Sequence, residues 1–307
     1  RRLKTLLRSP EFLQQRVETG LVEHGLVVAG GWRDGSRTAD CSMFTGGRWR
    51  PITPLSGPRF GACSAIVEDE DGQPEMWVMG GRDGGNRLAT VEAYNPRTNT
   101  WRSCLPLSQR RTGAVAGVVG GRLVVAGGYG GGVDYLTSVE AYTPTGWIPL
   151  PPLPHAVYNA TACVLNERLY VVGGNGSKKL QVLEMTEHGD GRGGRSLLWS
   201  CKADLPATRC DAASFLHEGR ITVMGGYVGG APSNSVVAYD AEADAWNPCP
   251  PLPRAIPAGI CNAATSPNGP FLNSGGRVFQ YRNGAWSREA RSPAPAVYPM
   301  CGSVLLG

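Results

Sequence analysis

The chain has no apolar run that approaches the eighteen or so residues needed for a helix to cross a bilayer. Histidine is also scarce. The four histidines are His24, His155, His188 and His217, and none has a neighbour at metal-ligand spacing. The sequence therefore predicts no membrane-spanning helix and no histidine-based metal site. We expect no membrane partner, no metal and no cofactor.

Nucleotide-binding motifs are missing as well. The glycine-rich stretch from Gly127 to Gly132 fits neither GxGxxG nor GxxxxGK[ST]. It lies between two predicted strands, so no helix N-terminus would be present to hold a phosphate. Because the sequence contains no recognisable catalytic constellation, we expect a protein that is not an enzyme.

The net charge of +5 does not indicate a nucleic-acid-binding surface. Residues 1–20 hold five basic and two acidic residues and therefore supply +3 of that charge. The rest of the chain carries only +2 (5 minus 3), which is too little for an electrostatic footprint on DNA or RNA. We therefore expect no nucleic-acid partner.

The sequence does contain a repeated unit. Six double glycines, each followed by a tryptophan, recur at intervals of 50, 47, 46, 52 and 50 residues, by subtraction of their positions. A period of about 50 residues is typical of architectures built from stacked repeats. The pairs begin at Gly30, Gly80, Gly127, Gly173, Gly225 and Gly275, and the tryptophans are Trp49, Trp101, Trp147, Trp199, Trp246 and Trp286.

Each unit predicts four strands. An apolar run such as residues 123–126 precedes the glycines and has the length and β-branched content of a buried strand. A small-residue strand such as residues 61–67 comes before it, and an alternating strand such as residues 139–142 and the tryptophan strand follow. Six such units predict an all-β, six-bladed β-propeller, because one blade cannot bury both faces alone. We expect Trp101 and Trp246 to be largely buried between blades.

The double glycine with its spaced tyrosine and tryptophan resembles the kelch repeat, over nearly the whole chain after residue 20. The resemblance implies a propeller like the C-terminal domain of kelch-like (BTB-BACK-kelch) proteins. Such propellers are closed by a C-terminal strand, and the first unit here lacks an inner strand of its own. We therefore expect residues near 299–306 to pair beside residues 25–30 in blade 1, which removes exposed sheet edges.

Residues 1–20 differ in kind from the repeats. Leucines at helical spacing precede Ser9-Pro10-Glu11, which is typical of a helix start. The segment is similar to the end of a helical BACK domain, with a solvated basic helix as the alternative. We therefore divide the chain into residues 1–20, a short helical tail of a preceding domain, and residues 21–307, the six-bladed kelch propeller.

Nine cysteines occur without a CxxC pair, which favours free thiols in a reducing compartment. We expect a cytoplasmic protein, with the nucleus as the alternative. The sequence aligns Cys63, Cys163, Cys261 and Cys301 at one position of the inner strands. We interpret them as small buried side chains near the axis, with a redox-active or metal-binding ring of thiols as the alternative.

The loops after each double glycine and those leading into each inner strand are expected to emerge on one rim, where loops carry binding. They are rich in arginine and tyrosine, which anchor interfaces, and we expect short loops to turn these side chains toward the central mouth. A solvated rim is the alternative for any single residue. The candidate partner-binding residues are Arg33, Arg59, Arg82, Arg110, Arg111, Tyr129, Tyr158, Asn159, Arg209, Tyr227, Arg254 and Tyr298.

The resemblance implies two functions. In the first, the propeller is the substrate-recognition domain of a cullin-3 ubiquitin-ligase adaptor and binds a short acidic or phosphorylated peptide of a client protein. The cullin-3 contact would then lie in BTB and BACK domains upstream of this sequence. In the second, the chain is a cytoskeletal or scaffold kelch protein of the actin-binding type. The similarity of residues 1–18 to a BACK tail favours the first. A kelch-type enzyme is disfavoured, because no His/Tyr/Cys copper constellation can be assigned.

Overall fold

The computed structural model describes residues 23–33, 35–45, 48–187, 195–255, 261–264, 271–274, 277–282, 285–291 and 300–306. Within these ranges the regular elements are strands, and no helix is long and apolar enough to cross a membrane. The predicted helical tail and the domain boundary near residue 20 lie outside the described residues, so both stay predictions.

Each repeat forms one four-stranded antiparallel sheet, here called a blade, and the first three blades follow the predicted order. Blade 1 contains β1 (Glu23–Arg33), β2 (Ser36–Thr45) and β3 (Arg48–Ile52). Blade 2 contains β4 (Cys63–Glu68), β5 (Pro74–Met79), β6 (Val91–Asn95) and β7 (Thr100–Cys104). Blade 3 contains β8 (Val115–Val119), β9 (Arg122–Ala126), β10 (Val139–Thr143) and β11 (Gly146–Leu150).

The second half of the chain repeats this arrangement, with a small additional sheet of three short strands beside blade 5. Blade 4 contains β12 (Thr161–Leu165), β13 (Arg168–Val172), β14 (Leu180–Glu187) and β15 (Arg195–Lys202). The small sheet contains β16 (Arg209–Cys210), β19 (Tyr227–Val228) and β20 (Ala231–Pro232), and blade 5 contains β17 (Ala213–His217), β18 (Arg220–Met224), β21 (Val236–Asp240) and β22 (Ala245–Cys249). Blade 6 contains β23 (Cys261–Ala264), β24 (Phe271–Ser274), β25 (Arg277–Arg282) and β26 (Ala285–Arg291), and the last strand is β27 (Met300–Leu306).

The last strand closes the ring. β27 pairs antiparallel with β1, from Glu23 opposite Leu306 to Ala29 opposite Met300, and becomes the inner strand of blade 1. The six inner strands β27, β4, β8, β12, β17 and β23 contact one another in turn around the axis, and β23 returns to β27. The predicted six-bladed, all-β propeller with C-terminal closure is therefore confirmed.

The double glycines are needed where one blade meets the next. Gly81 donates its N–H to the carbonyl of Arg111 at 2.8 Å, across the junction between blades 2 and 3. A Cβ on Gly80 would clash with the same carbonyl oxygen, and Gly80 and Gly81 both have positive φ. The same clash would occur between Gly173 and Arg209. Any side chain here would push neighbouring blades apart, which explains why the pair recurs in every unit.

The tryptophans join blades through their indole nitrogens. Trp101 donates to the Thr53 carbonyl at 2.8 Å and Trp246 donates to the Ala203 carbonyl at 2.9 Å. Both side chains pack in the apolar clusters between blades, although their burial is partial, whereas Trp77 and Tyr94 of the second unit are buried. The same bond recurs from Trp147 to Leu105 and from Trp199 to Pro151.

The four inner-strand cysteines do not occupy the same position along their strands. Cys63 and Cys261 pair with the residue directly before the double glycine of their blade, whereas Cys301 pairs one residue further away and Cys163 two. The predicted equivalence is therefore wrong for Cys301 and Cys163, and a shift of one residue also reverses the face of a strand. Burial raises the pKa of Cys63 to about 12 and that of Cys163 to about 11, so these thiols stay protonated at neutral pH.

Removing residues 300–307 should lower the unfolding temperature by about 10 °C or more, because it exposes the inner edge of β1 and opens the ring. Thermal unfolding followed by circular dichroism measures the shift. A truncation of equal length at the N-terminus is the control. Coincident melting curves for the full-length chain and the C-terminal truncation would contradict the role of β27 in closure.

Candidate partner-binding rim

The rim is built from equivalent positions in successive blades. In blades 2, 3 and 5 the residue after the double glycine pairs with a residue of the loop that leads into the inner strand. Arg82 pairs in this way with Phe60, and Tyr129 with Thr112. These loops lie at the glycine end of the blades, and we call this end the rim. The residues that follow the glycines in the first five blades are Trp32, Arg82, Tyr129, Asn175 and Tyr227.

A chain of backbone hydrogen bonds circles the mouth of the central channel from blade 2 to blade 5. Gly113 donates to Gly61 at 2.7 Å, Asn159 to Gly113 at 2.9 Å and Asp211 to Asn159 at 2.9 Å. All four residues have φ between 52° and 65°. Asn and Asp are among the few residues besides glycine that adopt this conformation readily. We call these residues the inner circle, and it places the side chains of Asn159 and Asp211 at the mouth.

Three of the predicted rim arginines are buried. Arg59, Arg111 and Arg209 expose only 2%, 1% and 6% of their surface. The expectation that they turn toward the mouth and meet a partner is therefore wrong. Their side chains run back into their own blade instead, beneath the double glycine, where they stabilise the loops.

The contacts of Arg111 show what these arginines do. Its Nη1 donates to the carbonyls of Gly127 at 2.7 Å and Ser138 at 3.1 Å, and its Nη2 donates to Oε1 of Glu140 at 2.7 Å. The other carboxylate oxygen of Glu140 accepts the backbone N–H of Ser108 at 2.8 Å. Arg111 thus ties the glycine turn, the third strand and the entering loop of blade 3 together.

The same arrangement recurs with variations in two further blades. In blade 2, Arg59 is paired with Glu92 and also donates to the carbonyl of Gly80. In blade 5, Arg209 donates to the carbonyl of Ser235 at 3.1 Å and to its Oγ at 2.6 Å. Their spacing in the sequence indicates this buried role. Each of these arginines lies four residues after a leucine, namely Leu55, Leu107 and Leu205. A residue type that recurs at one register of a repeat indicates a structural role.

A different set of arginines lies at the surface of the rim. Arg37 lies over the ring of Trp32 with its Cζ 5.5 Å from the centroid, and Arg82 lies over Phe60 at 4.8 Å. Arg87 lies over Tyr129 at 4.7 Å, which extends the row to blade 3. Such cation–π contacts contribute about 0.5–1 kcal/mol each at exposed sites and restrict the guanidinium to the ring face. Tyr129 is one of the predicted rim residues, whereas Phe60 is not, because a single aromatic in a loop carries no pattern.

Three tyrosines cluster beside this row. Tyr135 and Tyr158 are stacked with centroids 5.1 Å apart, and Tyr129 meets Tyr158 edge-on at 6.0 Å. The Tyr135 hydroxyl accepts a hydrogen bond from Nδ2 of Asn175 at 2.8 Å. Next to it, Val133 is 97% exposed at the tip of the glycine-rich loop. This part of the rim offers aromatic and apolar surface.

A cleft of about 480 Å³ opens between blades 4 and 5, lined by Asn175, Asp211 and Tyr227 among others. Burial raises the pKa of the Asp211 carboxyl. Burial and the nearby Asp211 carboxylate raise the pKa of Tyr158, and the positive charge of Arg82 opposes that shift. Tyr158 therefore lies between the basic and the acidic parts of the rim.

The remaining predicted residues have separate positions. Arg110 and Arg254 are exposed in rim loops. Arg33 ends β1, and its side chain lies outside the described part of the structure, as does Tyr298 altogether. No group of three or more His, Cys, Asp or Glu side chains that could hold a metal ion occurs among the described residues.

The neighbours Arg110 and Arg111 make a matched test of the buried position. Arg111→Ala should cost about 3–5 kcal/mol of unfolding free energy, because it leaves Glu140 buried without its cation. Arg110→Ala should change stability by less than about 0.5 kcal/mol. Urea unfolding measures both.

Combining Arg111→Met with Glu140→Gln should recover a large part of the loss, since no buried charge is then left unpaired. Equal effects of Arg110→Ala and Arg111→Ala would contradict the structural role of Arg111.

The comparisons with known proteins agree with this geometry. The Kelch motif model matches residues 73–107, 110–154 and 208–253. Kelch-like protein 36 of Mus musculus is 26% identical over 232 residues, which cover 72% of this chain and 36% of that protein. Kelch-like protein 35 of Mus musculus is 29% identical over 62% of this chain and 32% of that protein, and Kelch-like protein 23 of Homo sapiens is 28% identical over 67% and 37%.

The chain thus spans about a third of the length of these relatives. Among solved structures, that of YjhT superposes with a TM-score of 0.65 at 13% identity, covering 86% of this chain and 97% of the other. That likeness concerns the fold alone. Taken with the repeated glycine pairs and the closed ring of six blades, these matches identify the chain as a kelch-repeat β-propeller that resembles the kelch domains of kelch-like proteins.

Proposed function

We propose that this propeller binds an extended acidic or phosphorylated peptide of a client protein on its rim and catalyses no reaction. The observation that carries the proposal is the row of arginines held on aromatic rings across blades 1 to 3, made of Arg37, Arg82 and Arg87. The similarity to kelch-like proteins supports a protein-interaction role in general.

The row suits an anionic peptide for two physical reasons. A guanidinium group presents several N–H donors in a plane and pairs with a carboxylate or phosphate through two parallel hydrogen bonds. An arginine already held over a ring loses less side-chain entropy when it binds. In addition, the Nε of Arg87 is buried without a hydrogen-bond partner in the described structure. Arg110, exposed in the loop before blade 3, adds positive charge to the same part of the rim.

We further propose that the full protein is an adaptor of a cullin-3 ubiquitin ligase and acts in the cytoplasm. The support is the similarity of residues 1–18 to a BACK tail and the relation to kelch-like proteins, of whose length the match covers about a third. In such an adaptor the propeller selects the client, and upstream domains contact cullin-3. The free cysteines of the described residues accord with a reducing compartment.

Reversing two charges of the row should weaken client binding. We expect Arg82→Glu combined with Arg87→Glu to reduce client affinity at least tenfold, because charge-assisted hydrogen bonds are worth about 1.5–3 kcal/mol each. The matched control is Arg122→Glu, which reverses an exposed arginine beside the turn at the opposite end of β9. Clients captured from lysate with the wild-type propeller are then titrated against all three proteins.

Phosphatase treatment of the captured clients separates phosphorylated from carboxylate motifs. Affinities that are equal for wild type and the double reversal, and that do not respond to salt, would contradict peptide binding at this row. The ligase role is tested apart from this, by co-purification of cullin-3 with the full-length protein. Absence of cullin-3 from that preparation would favour the scaffold function over the adaptor function.

A further inference from the structure

The arginine–aromatic row ends at blade 3, whereas the aromatic residues continue. Tyr158 lies in the loop that enters blade 4, at the position of Phe60 in blade 2, and Tyr227 follows the double glycine of blade 5, at the position of Tyr129 in blade 3. Among the described residues, no lysine or arginine lies over either ring, in contrast to the rings of Trp32, Phe60 and Tyr129. The second half of the rim therefore has aromatic rings like those of the cation–π pairs, but no arginine or lysine of the described chain lies on them.

This half carries a carboxylate at its centre. Asp211 belongs to the inner circle, is half-buried, and lies beside the side chains of Asn159 and Cys210, which lower its pKa and partly offset the effect of burial. Its φ of 52° and the hydrogen bond from its N–H to Asn159 hold the carboxylate at the edge of the cleft. Partial burial without a cation is unfavourable for a carboxylate, and this is the physical cause of its raised pKa.

The nearby cations of the described chain are engaged elsewhere. Arg209 donates into blade 5, to the backbone of Gly225 and to Ser235. Lys179 is paired with Asp204 at 3.0 Å, and Lys178 lies 3.9 Å from the same carboxylate. None of the ion pairs found in the described residues involves Asp211. Arg209 also lines the cleft, but its guanidinium donates to Gly225 and Ser235 within blade 5. The cleft thus presents the Asp211 carboxylate and the side chain of Tyr227 to a ligand that enters it.

We infer that the cleft between blades 4 and 5 is a second subsite of the rim, which binds the guanidinium or ammonium group of an arginine or lysine side chain in the same client peptide. The cation of the peptide would pair with Asp211 and lie against the ring of Tyr227. This contact would have the same form as the cation–π contact between Arg82 and Phe60 within the chain. A cleft of about 480 Å³ has room for such a side chain. The inference rests on the proposed function, since it concerns the same peptide.

The consequence is a bipolar client motif. Its acidic or phosphorylated group lies over the arginine row, its basic group enters the cleft, and the tyrosine cluster around Tyr158 lies between them. Because the two subsites have opposite charge, only one direction of the peptide along the rim satisfies both. Like charges brought together in the reverse direction would be repelled, so the arrangement selects both sequence and orientation.

The test compares Asp211→Asn with Asp83→Asn, which removes the same charge from an exposed loop on the other half of the rim. Asparagine tolerates the left-handed conformation of residue 211 and keeps its backbone hydrogen bond, so the inner circle should persist. The probe is a displayed library of random peptides long enough to cross the rim. It is selected against the wild-type propeller, the two variants and the Arg82→Glu/Arg87→Glu variant.

Peptides selected on the wild type should carry an acidic and a basic residue at a constant spacing. Replacing the basic residue of a selected peptide by glutamine should lower its affinity for the wild type and for Asp83→Asn at least tenfold. The same replacement should lower its affinity for Asp211→Asn less than twofold, because the partner charge is already absent.

Equal losses in wild type and Asp211→Asn, or wild-type selections that enrich acidic residues alone, would overturn the second subsite and leave the arginine row intact. Selected peptides that bind equally to the wild type and to the Arg82→Glu/Arg87→Glu variant would count against the proposed function. A library that yields no rim-dependent peptide on the wild type would count against both.

Discussion

The propeller depends on the close contact that the double glycines of blades 1 to 4 make with the loop entering the next blade. At the junction of blades 2 and 3, the N–H of Gly81 meets the carbonyl of Arg111, and no Cβ fits on Gly80. The side chain of Arg111 then runs into its own blade to Gly127 and Glu140. Arg111 therefore links the junction between blades 2 and 3 to the glycine turn of blade 3. The pairing of β27 with β1 closes the ring.

This use of arginine decides which charges a partner can meet. Arg110 and Arg111 are neighbours in the chain, yet one is exposed and the other is buried and paired. Burial of the Arg111 guanidinium is tolerated because a carboxylate and two carbonyls accept hydrogen bonds from its two Nη groups. The positive charge left at the rim belongs to exposed arginines such as Arg110 and to arginines that lie on aromatic rings, such as Arg82 on Phe60 and Arg87 on Tyr129.

The inner circle explains how a repetitive fold acquires an asymmetric mouth. Blades 2 and 3 have Gly61 and Gly113 at the left-handed position, whereas blades 4 and 5 have Asn159 and Asp211. The backbone hydrogen bonds are the same in all four blades. Asn159 and Asp211 therefore add polar side chains without changing the backbone of the inner circle. Because backbone hydrogen bonds already fix these residues, binding at the mouth would require little further ordering of the chain.

The sequence by itself determined the blade number, the strand order within each blade and the closure by the C-terminal strand, because glycine pairs and apolar runs are local patterns repeated at a constant period. It did not determine which arginines face the mouth, since Arg59, Arg111 and Arg209 are buried by carboxylates and carbonyls from later strands. It also did not determine the position of each cysteine along its inner strand, because that position depends on strand register, as Cys163 shows. Only the tertiary structure decides these points, because the direction and burial of a side chain depend on groups that are distant in sequence.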